Sequence, residues 1–240
     1  NYLLNEQQDK AIEVFLKLAE INRDTVETHL ALGNLFRRRG EVDRAIRVHQ
    51  HLIARPNLSQ EEKTVALLEL GEDYMRAGLL DRAETLFSDL VAMDALAPSA
   101  LRHLIGIYQH ERDWDKAIEH ARRLELASDE SQASMIAQFQ CELAEQARAQ
   151  GNHEDALARV ADAFAADPDC VRACMIQGHV ESAVGNLDGA IRAFERVAEL
   201  DIDYLPEILS PLLDCYARSQ RMQRAGEFLV SITGRYQGGS

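Results

Sequence analysis

The chain has 240 residues, 40 of them acidic and 26 basic, for a formal net charge of −14. That charge opposes general binding to a polyanion such as DNA or RNA, and 13 Gly with 5 Pro are too few for a long disordered region or a turn-dense all-β fold. Apolar residues make up 46%, enough for a continuous core, but their unbroken runs are too short to span a bilayer. The opening Asn1-Tyr2-Leu3-Leu4-Asn5 carries neither the basic region of a signal peptide nor an initiator Met, so the sequence is expected to be a piece of a longer protein.

One phrase recurs: a Gly, four residues, then an Ala. It reads GEVDRAI from Gly40, GLLDRAE from Gly78, GNHEDAL from Gly151 and GNLDGAI from Gly185. With weaker copies included, the anchoring alanines are Ala11, Ala45, Ala83, Ala117, Ala156, Ala190 and Ala225, which stand 34, 38, 34, 39, 34 and 35 residues apart. A period near 34 marks a repeat array, and the two long steps mark insertions in ARPNLSQEEK and ELASDESQAS.

In chain order, the first unit is incomplete, begins inside its first helix at Tyr2, and places Ala11, Phe15 and Leu18 on one face of its second helix. The next unit predicts a first helix through Leu32, Gly33 and Phe36, a stop at Gly40, and a second helix from near Ala45. His49 stands where other copies have Phe, which predicts a packed or half-buried imidazole. After the first insertion, Ser59-Gln60-Glu61-Glu62 has the pattern of a capping box, so a helix is predicted to start there. It carries Leu70, Gly71 and Tyr74, stops at Gly78, and is followed by Ala83, Phe87 and Leu90. The third full unit has Leu104, Ile105 and Tyr108, with Trp114 in the turn region in a packing role. The fourth runs through Leu143, Ala144, Gly151 and Ala156, and the fifth through Gly178, Gly185, Ala190, Phe194 and Val197. The sixth holds Leu212, Tyr216, Ala225, Leu229 and Ile232. These spacings put apolar residues on one face of each helix, and the four glycines fall at the left-handed position just past a helix end. The array is therefore expected over residues 1–233, as a partial repeat plus six full ones, with 234–240 as a disordered tail.

The pattern resembles the tetratricopeptide repeat, which implies an all-α superhelical solenoid of antiparallel helix pairs whose first helices line a concave groove. Particular strings narrow the likeness. THLALGNLFRRRGEVDRAIRVHQ, LGEDYMRAGLLDRAE and LLNEQQDKAIEVFL resemble the bacterial lipopolysaccharide assembly protein B family. That resemblance implies a non-enzymatic adaptor at the cytoplasmic face of the inner membrane, which helps the protease FtsH degrade the lipid A deacetylase LpxC. FtsH, LpxC and other lipopolysaccharide assembly proteins are then the expected partners. It also implies a membrane helix and a zinc-binding rubredoxin-like module, both outside these residues, so no cofactor, membrane contact or nucleic acid is expected here. The truncated first unit leaves an apolar end that would favour self-association.

Motifs for chemistry are missing: no phosphate-binding G-x-x-x-x-G-K-[ST], no G-x-G-x-x-G and no G-x-S-x-G occurs. The best metal candidate is Cys170, Cys174 and His179, since the two cysteines are four residues apart; the competing reading is reduced thiols packed in a core, as for Cys141 and Cys215. No catalytic residue is assigned. The candidate groove residues are Asn34, Arg37, Arg38, Arg76, Arg102, His110, Arg148, Arg172 and Arg218, placed by the repeat frame on first helices. Asn at the position of Asn34 bonds a bound peptide backbone in relatives. Arg37, Arg38, Arg76 and Arg102 are expected to form a basic patch on the concave face of the first three full units, with Asn34 beside it, for an acidic segment or a terminal carboxylate; alternatively, the arginines end helices well because cations suit the last turn. Two further functional readings remain open: a general peptide-binding co-chaperone or secretion-type scaffold, and an enzyme with an unrecognised pocket.

Overall fold

The computed structural model describes residues 25–237. The incomplete first unit, with Ala11, Phe15 and Leu18, and the last three residues of the tail lie outside the described residues. Among the described residues there are twelve α-helices and no strand. They are α1 (Val26–Arg38), α2 (Val42–Ile53), α3 (Gln60–Arg76), α4 (Leu80–Ala92), α5 (Ala97–Glu111) and α6 (Trp114–Ala127), then α7 (Ala133–Ala149), α8 (His153–Ala166), α9 (Val171–Ala183), α10 (Leu187–Leu200), α11 (Leu205–Arg218) and α12 (Met222–Gln237). The last helix thus runs four residues into the stretch expected to be disordered.

Local chemistry sets the helix ends. Gly40, Gly78, Gly151 and Gly185 all have φ between +74° and +85°, the left-handed region that glycine enters without a Cβ penalty. At Gly78 the turn is closed by two backbone bonds, Leu79 N to Tyr74 O at 2.8 Å and Gly78 N to Met75 O at 3.0 Å. These satisfy carbonyls the helix leaves open. The sixth unit has no glycine there, yet Gln220 takes φ 57° and makes the same pair of bonds. The predicted capping box forms at the start of α3: Ser59 Oγ accepts from Glu62 N at 3.2 Å, and Glu62 Oε2 accepts from Ser59 N at 2.8 Å.

The chain divides into two compact units, one running to Arg112 with Leu126–Ser128, the other comprising Asp113–Glu125 and Asp129 onward. In the first, α1 packs on α2, α3 on α4, and α5 on α4. Its core includes Phe36, Leu52, Leu70, Phe87, Leu90 and Leu104. Helices within a pair mesh where a first-helix glycine faces a second-helix ring. A Cβ on Gly71 would lie 2.5 Å from Phe87 Cε1, and one on Gly33 would lie 2.2 Å from His49 Nε2. Contacts that close exclude any larger residue.

In the second unit, α7 packs on α8, α9 on α10, and α11 on α12. One apolar cluster joins α7, α8 and α9 around Ala144, Val160 and Ile176, and another joins α9 to α12 around Phe194, Leu212 and Tyr216. Trp114 stacks on Phe139 with centroids 5.7 Å apart, the packing role its position predicts. Glu125 closes the second insertion by accepting from Ser131 Oγ at 3.2 Å and Gln132 N at 3.0 Å.

Candidate partner-binding groove

In the first unit, Arg37 stands in the last turn of α1 and reaches across to α3, the first helix of the next repeat. Its Nη1 donates to Asp73 Oδ1 at 2.9 Å and to the Glu69 carbonyl at 3.1 Å, while Nη2 meets Glu69 Oε2 at 2.8 Å and Glu72 Oε2 at 2.7 Å. Only 16% of the Arg37 side chain is exposed. Burial by itself would lower the guanidinium pKa, but the bonds to Glu69 and Asp73 outweigh it and hold the group above its ordinary value.

The network continues inward and outward. Asp73 is fully buried and its Oδ2 sits 2.6 Å from Nδ1 of His49, also fully buried. His49 therefore keeps the ring position of its Phe counterparts but adds a polar link to the next repeat. On the outer side, Glu72 Oε1 lies 3.2 Å from His103 Nε2 on α5, and the His103 ring stacks on Phe87 at 4.6 Å. Glu72 is held below its ordinary pKa, first by the bond with His103 and then by the Arg37 charge, with burial opposing both.

A cavity of about 640 Å³ opens beside this network, lined by Arg37, Arg38, Glu72, Met75, Arg76 and His103. Three of the sequence-predicted groove residues, Arg37, Arg38 and Arg76, thus come together. Arg38 and Arg76 are exposed, and neither has a carboxylate partner among the described residues. Asn34 lies one turn before Arg37 on α1 and is half-buried; its Oδ1 is enclosed without a hydrogen-bond partner among the described residues. Arg102 and His110 are exposed on α5 and do not line the cavity.

In the second unit Arg148 and Arg172 line a separate cavity of about 620 Å³, and both are matched by acids: Arg148 Nη2 meets Glu145 at 2.7 Å, and Arg172 meets Glu142 at 2.7 Å. Asp167, Asp169, Asp201 and Glu207 share that lining. Arg218 does not line it; it bonds Ser182 Oγ at 2.9 Å and Asp214 at 3.3 Å. His179 on the wall is held below its ordinary pKa, first by burial and next by the Arg148 charge. Cys170 is the N-cap of α9 and its carbonyl accepts from Cys174 N at 3.3 Å, so the two are one turn apart, but Cys170 packs in the cluster of α7 to α9 and Cys174 in that of α9 to α12. Among the described residues, no group of three or more His, Cys, Asp or Glu is placed to hold a metal ion, and no helix is long and apolar enough to cross a membrane.

Glu69, Glu72, Asp73 and His103 were not among the sequence-predicted groove residues. One signal for Asp73 was present: an acid on a packing face, between Leu70 and Tyr74, paired with a His in place of Phe one repeat earlier.

Helix pairs with a left-handed turn at a fixed frame and a groove on their first helices define a tetratricopeptide-repeat protein. Tetratricopeptide-repeat family models match residues 28–61, 68–133 and 141–204, and the chain belongs to that family. Among curated proteins, it is similar to lipopolysaccharide assembly protein B of Escherichia coli K12, 41% identical over 229 residues. That match covers 95% of this chain and 59% of the relative. The protein of the same name from Haemophilus influenzae is 35% identical over 238 residues, covering 96% and 60%. The chain therefore spans about three-fifths of the length of these relatives. Among solved structures, the C-terminal part of a repeat protein from Cytophaga hutchinsonii matches with a TM-score of 0.57 at 12% identity, covering 92% of this chain and 85% of that one. YrrB, described as a repeat protein with an unusual peptide-binding site, matches with 0.50 at 17%, covering 80% and 94%. At those identities the likeness is one of fold.

Proposed function

We propose that this chain is the partner-binding array of a non-enzymatic adaptor in lipopolysaccharide assembly, one that promotes FtsH-dependent proteolysis of LpxC. The observation that carries the binding site is the first-unit cavity, where Arg38 and Arg76 present guanidinium groups unmatched by acids in a chain of net charge −14. Guanidinium forks suit carboxylates, so an acidic segment or a chain terminus is the ligand class. The repelling acidic surface elsewhere restricts such a ligand to this wall. The similarity to lipopolysaccharide assembly protein B supports the pathway. Work at the cytoplasmic face of the inner membrane follows from the same likeness, with the anchor and any zinc module supplied by sequence outside this chain.

The test is direct binding of the purified chain to purified FtsH and LpxC, each immobilised in turn. Saturable binding to either supports the reading. Binding to neither, with binding instead to unrelated peptides bearing free C-termini, favours the general peptide-binding scaffold.

A further inference from the structure

We propose that Cys141 and Cys170 form an oxidation site, in which a hydroperoxide converts the thiol pair to a disulfide joining α7 to the start of α9. The two Sγ atoms lie 3.8 Å apart in the second unit, with Gln138 Nε2 donating to Cys170 Sγ at the same distance. All four cysteines are free thiols and all are buried. They differ in access and activation. Cys170 is the cysteine that lines the 620 Å³ cavity and, at 3%, keeps slight exposure where Cys141, Cys174 and Cys215 have none, so the cavity is the side from which a small oxidant approaches it. It is also the N-cap of α9, where the positive end of the helix favours a thiolate.

The charge balance agrees with that placement. The Cys170 pKa is lowered, first by the hydrogen bond from Cys141, with burial opposing it. The first-turn amides of Arg172 and Ala173 add to the lowering, although they face the sulfur outside normal hydrogen-bond geometry. Cys141 is pushed up, first by its bond to Cys170 and then by burial. Burial pushes Cys174 up to about 11. Cys215 lies 3.4 Å from Ser182 Oγ and does not line the cavity. Selective reaction at Cys170 follows, because the thiolate is the nucleophile.

The chemistry balances in two steps. The Cys170 thiolate attacks one oxygen of hydrogen peroxide; the O–O bond breaks, Cys170 becomes a sulfenic acid, and the departing hydroxide takes up a proton as water. Cys141 sulfur then attacks Cys170 sulfur; the S–S bond forms, the S–O bond breaks, and the departing hydroxide leaves as water with the Cys141 proton. In sum two thiols lose two electrons, and one peroxide yields two waters. The product ties first helices of successive repeats together next to Arg172.

The experiment treats the folded 240-residue chain with hydrogen peroxide and maps peptides without reduction. A Cys141–Cys170 linked peptide, lighter by two hydrogens, is the expected result. Cys141→Ser should instead accumulate a sulfenic acid at Cys170, trapped by a cyclic diketone. Cys170→Ser should abolish both products, whereas Cys174→Ser and Cys215→Ser should leave the linked peptide intact. Even oxidation of all four cysteines, or a linkage that omits Cys170, overturns the proposal. The map of the unmodified sequence decides this whichever variants fold.

Discussion

Arg37 and Arg38 are neighbours in sequence and differ in what holds them. Arg37 is enclosed by Glu69, Glu72 and Asp73, whereas Arg38 faces the cavity with Arg76. A charge-reversal test of the groove therefore belongs at Arg38 and Arg76. Arg38→Glu with Arg76→Glu is expected to weaken binding of an acidic partner on the order of tenfold, with helicity unchanged, because both sites are exposed. Affinity measured with and without the pair of changes checks this. Arg37→Glu would instead place a fourth carboxylate beside three, one fully buried, and is expected to destabilise the fold.

The buried link gives a sharper outcome. Asp73→Leu leaves His49 and Arg37 without their shared partner and is expected to cost about 2–4 kcal/mol. Adding His49→Phe to that change should recover part of the loss, because other repeats hold Phe at this frame position against a glycine. Denaturant melts of the two singles and the double form the cycle. Glu72 supplies a pH dependence. Its folded pKa lies below the ordinary 4.5, so its contribution is fully present above that value and is lost as pH falls through the folded pKa. Glu72→Gln should flatten the loss of stability on acidification below about pH 4.5. At this scale the repeat frame placed nine residues on first helices, of which Arg37, Arg38 and Arg76 share one cavity and Arg148 and Arg172 another. Whether an arginine there is spent on a neighbouring repeat depends on acids 32 to 36 residues away, as for Arg37, and periodicity is silent about that pairing.

Among the helices, the turn geometry was legible wherever a glycine marked it. Gly40, Gly78, Gly151 and Gly185 adopt the left-handed conformation that the phrase implies. Gln220 adopts it without a glycine, at φ 57°, where the two closing bonds of the turn hold the backbone, and Arg112 does so at φ 58° with its own N bonded to Gln109 O. A side chain in that region carries about 1 kcal/mol of strain. Gly78→Ala is therefore expected to lower stability by about 1 kcal/mol, and Gln220→Gly to raise it by a fraction of that, since glycine also loses more entropy on folding. Thermal melts of the two variants should move in opposite directions.

For the whole chain, composition and the 34-residue period were enough to give an all-α fold, because each repeat must bury its apolar faces against its neighbours. A circular dichroism spectrum dominated by helix is the expected outcome. The charge of −14 has its own consequence: a basic wall in an acidic protein works by contrast, and salt erases contrast. Affinity for an acidic partner should fall between low salt and about 0.15 M, where screening acts within about 8 Å.

The bond between His49 and Asp73 also bears on how such an array can be rearranged. A repeat that carries Phe at this frame position asks only for a glycine within itself, so its fit is self-contained. The repeat with His49 asks for an acid in its successor, and that successor's Asp73 asks for a histidine behind it. Deleting, duplicating or shuffling either repeat alone would strand a polar group in the core. Two adjacent modules are thereby bound into a single heritable block, and their order in the chain is written into the core as well as into the groove.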